Sequence, residues 1–260
     1  MRIEIDGRTA TAEQLAFPAL VNYGHFTAMQ VRDSRVRGLD LHLARLDAAT
    51  RELFGTGLDA GLVRHRIRHT LDGTPDASVQ VRVFQPADIS IMVVVRDPVD
   101  MPSEPQRLKS VAYQRPVAHI KHVGGFGQAY FGKRAEQEGF DDALLTGPGG
   151  VISEGGITNI GFFASGAADH DGDHDGEIVV WPDAPSLAGI TMQLLQRVLG
   201  TASTLRRVTL PDVPAYSGGF VCNSWGVAPV GRIDDMELPV DADRTAELVK
   251  LYEAVPRELI

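Results

Sequence analysis

Lysine is the scarce reactive group of this chain: only Lys109, Lys121, Lys133 and Lys250 occur, against 21 arginines. Any chemistry that needs an amine nucleophile has four candidates. Lys121 stands apart because it follows Gln114–His119, a stretch containing Pro116 that reads as a connector between two halves of the chain. Further on, Glu154 follows the turn signal Gly147-Pro148-Gly149-Gly150. Gly189-Ile190-Thr191 then opens Ile190–Leu199, an amphipathic segment whose first amides would form an anion receptor. An amine, a carboxylate and an anion cradle in this order suit a cofactor bearing a carbonyl, a ring nitrogen and a phosphate. The single cysteine, Cys222, can form neither an internal disulfide nor a Cys-rich zinc site.

The elements that must position these groups can be read from periodicity. Met1–Ile5 and Phe26–Val31 read as strands, and Val79, Val81 and Val83 alternate with Gln80 and Arg82 as a strand with one apolar face. Ile89–Val95 is a second, buried strand. From Leu39, apolar residues at Leu39, Leu43, Leu46 and Leu53 follow helical separations, and Gly55 is the expected stop. After the connector, Gly127–Glu138 reads as a helix, Asp142–Thr146 and Val151–Ile152 as strands flanking the Gly-rich turn, and Ile157–Ala164 with Glu177–Trp181 as a strand pair. Asp243–Val255 closes the chain as a helix. Strands and helices mix without a steady βαβ rhythm, so the class is α+β. The expected domains are residues 1–113, small and N-terminal; 114–120, the connector; and 121–260, larger and C-terminal.

Composition narrows the function classes. At 260 residues with 43% hydrophobic and 23% charged residues, the chain can bury a real core and is not a disordered one. A formal charge of −9 argues against nucleic-acid or anionic-membrane partners. No apolar run approaches the ~20 residues of a membrane span, and the N-terminus lacks the apolar core of a signal peptide. A cytoplasmic protein is expected. Asp171, Asp173, Asp175 and Gly176 imitate the start of a calcium loop, but the twelfth position would be Pro182 where a bidentate Glu is needed; no metal site is assigned. No G-x-G-x-x-G, Walker A or G-x-S-x-G pattern occurs.

Six segments carry a family resemblance. His42-Leu43-Ala44-Arg45-Leu46 resembles the H-x-x-R-L motif of class IV (fold-type IV) pyridoxal-phosphate enzymes, and Ile120-Lys121-His122 their catalytic-lysine segment. Glu136–Leu145 is similar to the G-x-(D/E)-E-A stretch, Ser153–Ile160 to E-G-x-x-(S/T)-N, and Leu187–Thr191 to L-x-G-I-T. Ala228-Pro229-Val230 resembles the late P-V segment. The family includes branched-chain and D-amino-acid aminotransferases and aminodeoxychorismate lyase. His122, Phe126, Met192 and Asn223 depart from its commoner residues.

The resemblance implies a two-domain enzyme, similar to D-amino-acid aminotransferase, that uses pyridoxal 5'-phosphate. It implies that Lys121 holds the cofactor as a Schiff base and moves the substrate proton. Glu154 would pair with the ring nitrogen. Arg45, Asn159, Gly189, Ile190, Thr191 and Asn223 would bind the cofactor, chiefly its phosphate. Arg82, on a polar strand face, and Thr27 are the substrate candidates. The partners implied are a small-molecule amino donor and a keto acceptor, with a homodimer as the assembly. The expected activity is amino transfer; a lyase similar to aminodeoxychorismate lyase is the alternative, and a fold repurposed for non-catalytic binding the next.

Overall fold

The computed structural model describes residues 1–165 and 177–260, and the chain falls into two compact units. The first comprises Met1–Asp100, Ile120–Gly125 and Val255–Ile260; the second comprises Met101–His119 and Phe126–Ala254. In chain order the first unit holds β1 (Arg2–Ile5), β2 (Arg8–Thr9), α1 (Ala12–Leu20), β3 (His25–Val31), β4 (Arg35–Arg37), α2 (Leu39–Phe54), α3 (Ala60–Leu71), β5 (Ala77–Phe84) and β6 (Ser90–Arg96). The second holds β7 (Gln106–Ala112), α4 (Phe126–Gln137), β8 (Asp142–Gly147), β9 (Val151–Gly155), β10 (Asn159–Ser165), β11 (Glu177–Pro182), α5 (Ile190–Leu199), β12 (Ser203–Arg206), β13 (Gly218–Asn223), β14 (Gly226–Ile233), β15 (Met236–Glu237) and α6 (Ala242–Ala254). β16 (Arg257–Leu259) returns to the first unit.

The sheet of the first unit runs β2-β1-β6-β5-β3, antiparallel throughout. Period-two alternation makes one face of β3 and β5 apolar, and Met29, Val31, Val79, Val81 and Val83 on that face pack against Leu39 and Leu46 of α2 and Val63 and Ile67 of α3. Gly55 ends α2 in the left-handed region (φ 70°), as its position after the last periodic residue predicts. Asp59 caps α3 by accepting from the amides of Gly61 and Leu62. The chain's last segment joins this core: β16 pairs with β4, Ile260 is 3% exposed within the cluster, and Arg68 donates two hydrogen bonds to the Ile260 carbonyl.

The second unit is built on a mixed sheet of order β12-β11-β10-β13-β14-β7-β8-β9, with β15 beside β14. Trp181, Phe220 and Cys222 on it pack with Leu195 of α5 and Leu248 of α6, and Ala143 and Leu145 of β8 pack with Ala135 and Phe131 of α4. None of the described helices is long and apolar enough to cross a membrane.

The units divide the chain differently from the expected boundaries. β7 pairs in parallel with both β8 and β14, so its ladder places residues 101–113 in the second unit. Ile120–Gly125, with Lys121, belongs to the first: Phe26 N–H donates to the Lys121 carbonyl at 2.8 Å and Val123 N–H to the Gly24 carbonyl at 3.0 Å. Helix α3 and the capped helix α1 have no counterpart in the sequence reading, and the strand expected from Ile157 starts at Asn159 because 155–158 form a turn. The acidic segment with Asp171, Asp173 and Asp175 lies outside the described residues.

Candidate active site

In the second unit, two of the sequence motifs meet at one residue. Glu154, on β9, is 4% exposed, and its carboxylate accepts from the Leu187 amide at 3.2 Å. Asn159, on β10 and 6% exposed, donates from Nδ2 to the Leu187 carbonyl at 2.8 Å. The two side chains thus grip Leu187 from both sides and fix the loop that opens α5. Gly189 is required there, because a Cβ would strike the Asn159 carboxamide oxygen. It is also the N-cap of α5 and supplies no side-chain cap, so the amides of Ile190, Thr191 and Met192 lack an intrahelical acceptor. Thr191 donates its hydroxyl proton to the Asn223 carbonyl at 2.6 Å, tying the tip of the β13–β14 hairpin to the same helix end. The Asn223 side chain accepts from the Trp225 amide and shapes that tip.

Sequence reasoning missed Arg115. It lies in the connector, 6% exposed, and its guanidinium meets the Glu154 carboxylate at 3.1 Å with both side chains buried. A carboxylate taken out of water stays ionised only with such a partner. No local pattern around Arg115 announces the pairing, since the two residues lie on separate strand-loop segments.

In the first unit, Lys121 and Arg82 flank the Phe26 ring, with Nζ 4.9 Å and the guanidinium carbon 5.5 Å from its centroid. Arg82 is half-buried; one of its nitrogens donates to Gln80 at 3.1 Å, while its Nε is buried without a partner. Burial, and then Arg96, pull the Arg82 pKa below its ordinary value. Arg45 stands one helical turn after His42 on α2 and is half-buried. His42 itself faces the sheet. Thr27, the other substrate candidate, is 0% exposed, and its hydroxyl lies 2.6 Å from His42 Nδ1, so it holds the histidine in place.

His25 and His42 are buried polar residues at the apolar core, each in contact with a hydroxyl through one ring nitrogen, while His25 Nδ1 is buried without a partner. Thr50 donates to the Leu46 carbonyl, so its oxygen accepts from His25 Nε2 at 2.9 Å. Burial pushes the His25 pKa down to about 4, and burial followed by the charges of Arg45 and Lys121 pushes His42 down to about 3. Both imidazoles stay neutral in the folded unit at pH 5, whereas in the unfolded chain they take up protons below about 6.5. A lowered histidine pKa therefore costs stability as pH falls through the unfolded value. The two together remove about 4 kcal/mol from this unit between pH 7 and pH 5. Denaturant titrations at the two pH values measure the loss; a midpoint that does not fall would contradict the neutral, buried pair.

Among the described residues no group of His, Cys, Asp or Glu is arranged to hold a metal ion. The donor set suits pyridoxal phosphate instead. An uncapped helix start behind a glycine fits a phosphate, and a buried carboxylate kept charged by arginine fits a protonated ring nitrogen. The Thr158 hydroxyl, buried beside Gly155 with no hydrogen-bond partner, marks polar capacity left unused in the same turn.

The model of the family Amino-transferase class IV matches residues 24–233, and the chain belongs to this family of pyridoxal-phosphate enzymes. Solved structures share its fold over nearly the whole length. A hypothetical aminotransferase from Mycobacterium tuberculosis in its PLP-bound form is 18% identical, with 98% of each chain covered and a TM-score of 0.80. The branched-chain aminotransferase of the thermophilic archaeon Thermoproteus uzoniensis, solved with norvaline, is 18% identical, covering 97% of this chain and 93% of that one at a TM-score of 0.78. A Legionella pneumophila protein described as a 4-amino-4-deoxychorismate lyase is 18% identical, covering 92% and 93%, also at 0.78. No curated relative matches the chain.

Proposed function

We propose that the protein is an aminotransferase in which Lys121 carries pyridoxal phosphate and moves the proton of the substrate's amino-bearing carbon. The observation that carries this reading is the grip of Glu154 and Asn159 on Leu187, which ties a buried carboxylate to the anion-ready start of α5. When bound, the cofactor supplies an electron sink that makes that carbon acidic. Glu154, held ionised by Arg115, keeps the ring nitrogen protonated. The amides at Ile190 and Thr191, with the α5 dipole behind them, bind the phosphate. Arg45 adds a second positive charge for it. Lys121 Nζ, set beside Phe26, takes the proton and returns it.

Arg82 would be the receptor for a substrate carboxylate, since its guanidinium shares the Phe26 ring as a neighbour with Lys121. The protein would act in the cytoplasm as a homodimer, which would give a mass in solution of twice 28.1 kDa; a monomer would remove that part of the reading.

The test is absorption spectroscopy of the purified protein with added pyridoxal phosphate and a panel of amino acids and amines. A visible band that at least one donor bleaches, with its keto product formed in equal amount, is the expected outcome. Pyruvate released from an aminochorismate without any keto acceptor would instead establish a lyase. The absence of any band would leave a repurposed binding fold.

A further inference from the structure

We propose that Asp142, a residue outside the cofactor-binding set, is a positioning residue for Glu154: its carboxylate gathers the turn 155–158 that follows Glu154 and thereby sets where that acid is presented. This rests on the assignment of Glu154 above. Asp142 begins β8, and its oxygens accept from the amide of Ala143 at 2.8 Å and from that of Ile157 at 3.3 Å. The Gly156 amide donates to the Ala143 carbonyl at 2.9 Å, and the Gly156 carbonyl accepts from Gln128 of α4 at 2.9 Å. A Cβ at Gly156 would strike an Asp142 oxygen, so the turn closes on the carboxylate with no room for a side chain. Glu154 and Gly155 pair with Leu145 and Leu144 of β8, and the ladder shifts register one residue later, between Leu145 and Thr146. The turn is therefore where the ladder's alignment is fixed, and Asp142 is the charged group that fixes it.

The site also titrates in a useful range. Burial raises the Asp142 pKa to about 6, opposed by hydrogen bonds from Ala143, Ile157 and Gly156, while the charge of Glu136 on α4 raises it further. On β7, the flanking Arg107 is engaged by Asp141, and Lys109 by Glu138 and Asp234. The turn itself carries no charged residue. The charged form, present above about pH 6, is the one that holds two amides at once; protonation removes acceptor capacity and loosens the turn.

The test uses the full-length protein and two variants, Asp142→Asn and Gly156→Ala, the second displacing the carboxylate without removing it. Amide hydrogen exchange of residues 155–158, read against each parent at one pH, should accelerate by roughly tenfold or more in both variants while α5 and α6 are unchanged. Unchanged exchange in the turn, or equal acceleration everywhere, overturns the proposal. The second readout is the dissociation constant of pyridoxal phosphate. It should be weakened by about tenfold in Asp142→Asn at pH 8, and the ratio to the parent should approach one near pH 5, where the parent's own carboxylate is protonated. A ratio that is one at pH 8, or that does not change with pH, also overturns it. If the parent takes up no cofactor at all, the cofactor reading fails by itself, and the exchange data alone decide whether Asp142 holds the turn.

Discussion

Lys121→Ala should remove the visible absorption expected of the parent protein with pyridoxal phosphate and lower amino transfer by about four orders of magnitude. The size follows from the two tasks proposed for this one amine, covalent attachment and proton movement. The loss is chemical rather than structural. Lys121 is held by its backbone, through the Phe26 amide and the short pairing of His25 with His122, and alanine keeps both. Its Nζ lies against a ring and not in a core. Borohydride treatment of the loaded parent followed by peptide mass analysis should find the pyridoxyl mass on the peptide bearing Lys121. Of the alternatives, Lys109 is already engaged by Glu138 and Asp234, so its alanine variant should keep both absorption and activity. A loaded, active Lys121→Ala protein would refute the assignment.

The parts of this site that were legible in the sequence are those written locally. The alternation of β5 is visible in Val79-Gln80-Val81-Arg82-Val83, and it puts Arg82 on the face opposite the core without reference to anything distant. Helix α2 and its end at Gly55 are likewise contained in one stretch, and Leu187–Thr191 is a turn into a helix that can be read in place. Most hidden features depend on long-range pairing, although the Thr11–Gln14 capping box that opens α1 is a local signal. Nothing near Thr27 in the chain announces that its hydroxyl meets His42, fifteen residues on. Helix α3 escapes notice because Arg64, His65, Arg66, Arg68 and His69 crowd its few apolar positions, so that beyond the Asp59 cap it is the packing of Val63, Ile67 and Leu71 on the sheet that stabilises it. The unit boundary moved because β7 takes partners on both sides from later in the chain, and a parallel pairing leaves no local trace.

Arg115 belongs to the same class, and its removal should have the largest effect on stability. With the guanidinium gone, the Glu154 carboxylate loses its cation in an environment where its side chain is only 6% exposed. Removing one partner of a buried ion pair costs about 3–5 kcal/mol, well above the net worth of the intact pair, since the desolvation of the survivor is no longer offset. Arg115→Leu, which keeps bulk, should therefore lower the melting temperature of the second unit by on the order of 10 °C. Glu154→Gln should cost less, because it leaves no unpaired carboxylate and its one amide oxygen can still accept from Arg115 or from the Leu187 amide, though not from both in place of the two carboxylate oxygens. The double variant should be more stable than the sum of the two losses predicts, as expected when two residues share one interaction. A functional signature separates this from simple destabilisation. Without Arg115 the carboxylate would be driven to take up a proton, and on the assignment proposed for Glu154 a neutral acid would no longer hold a positive ring nitrogen opposite it. Folded Arg115→Leu, kept below its transition, should bind pyridoxal phosphate more weakly at neutral pH and regain affinity as pH rises and Glu154 ionises, and Glu154→Gln should show no such recovery. Strictly additive losses in the double variant, or an Arg115→Leu protein as stable as the parent, would mean that the pair does not hold this end of the site together.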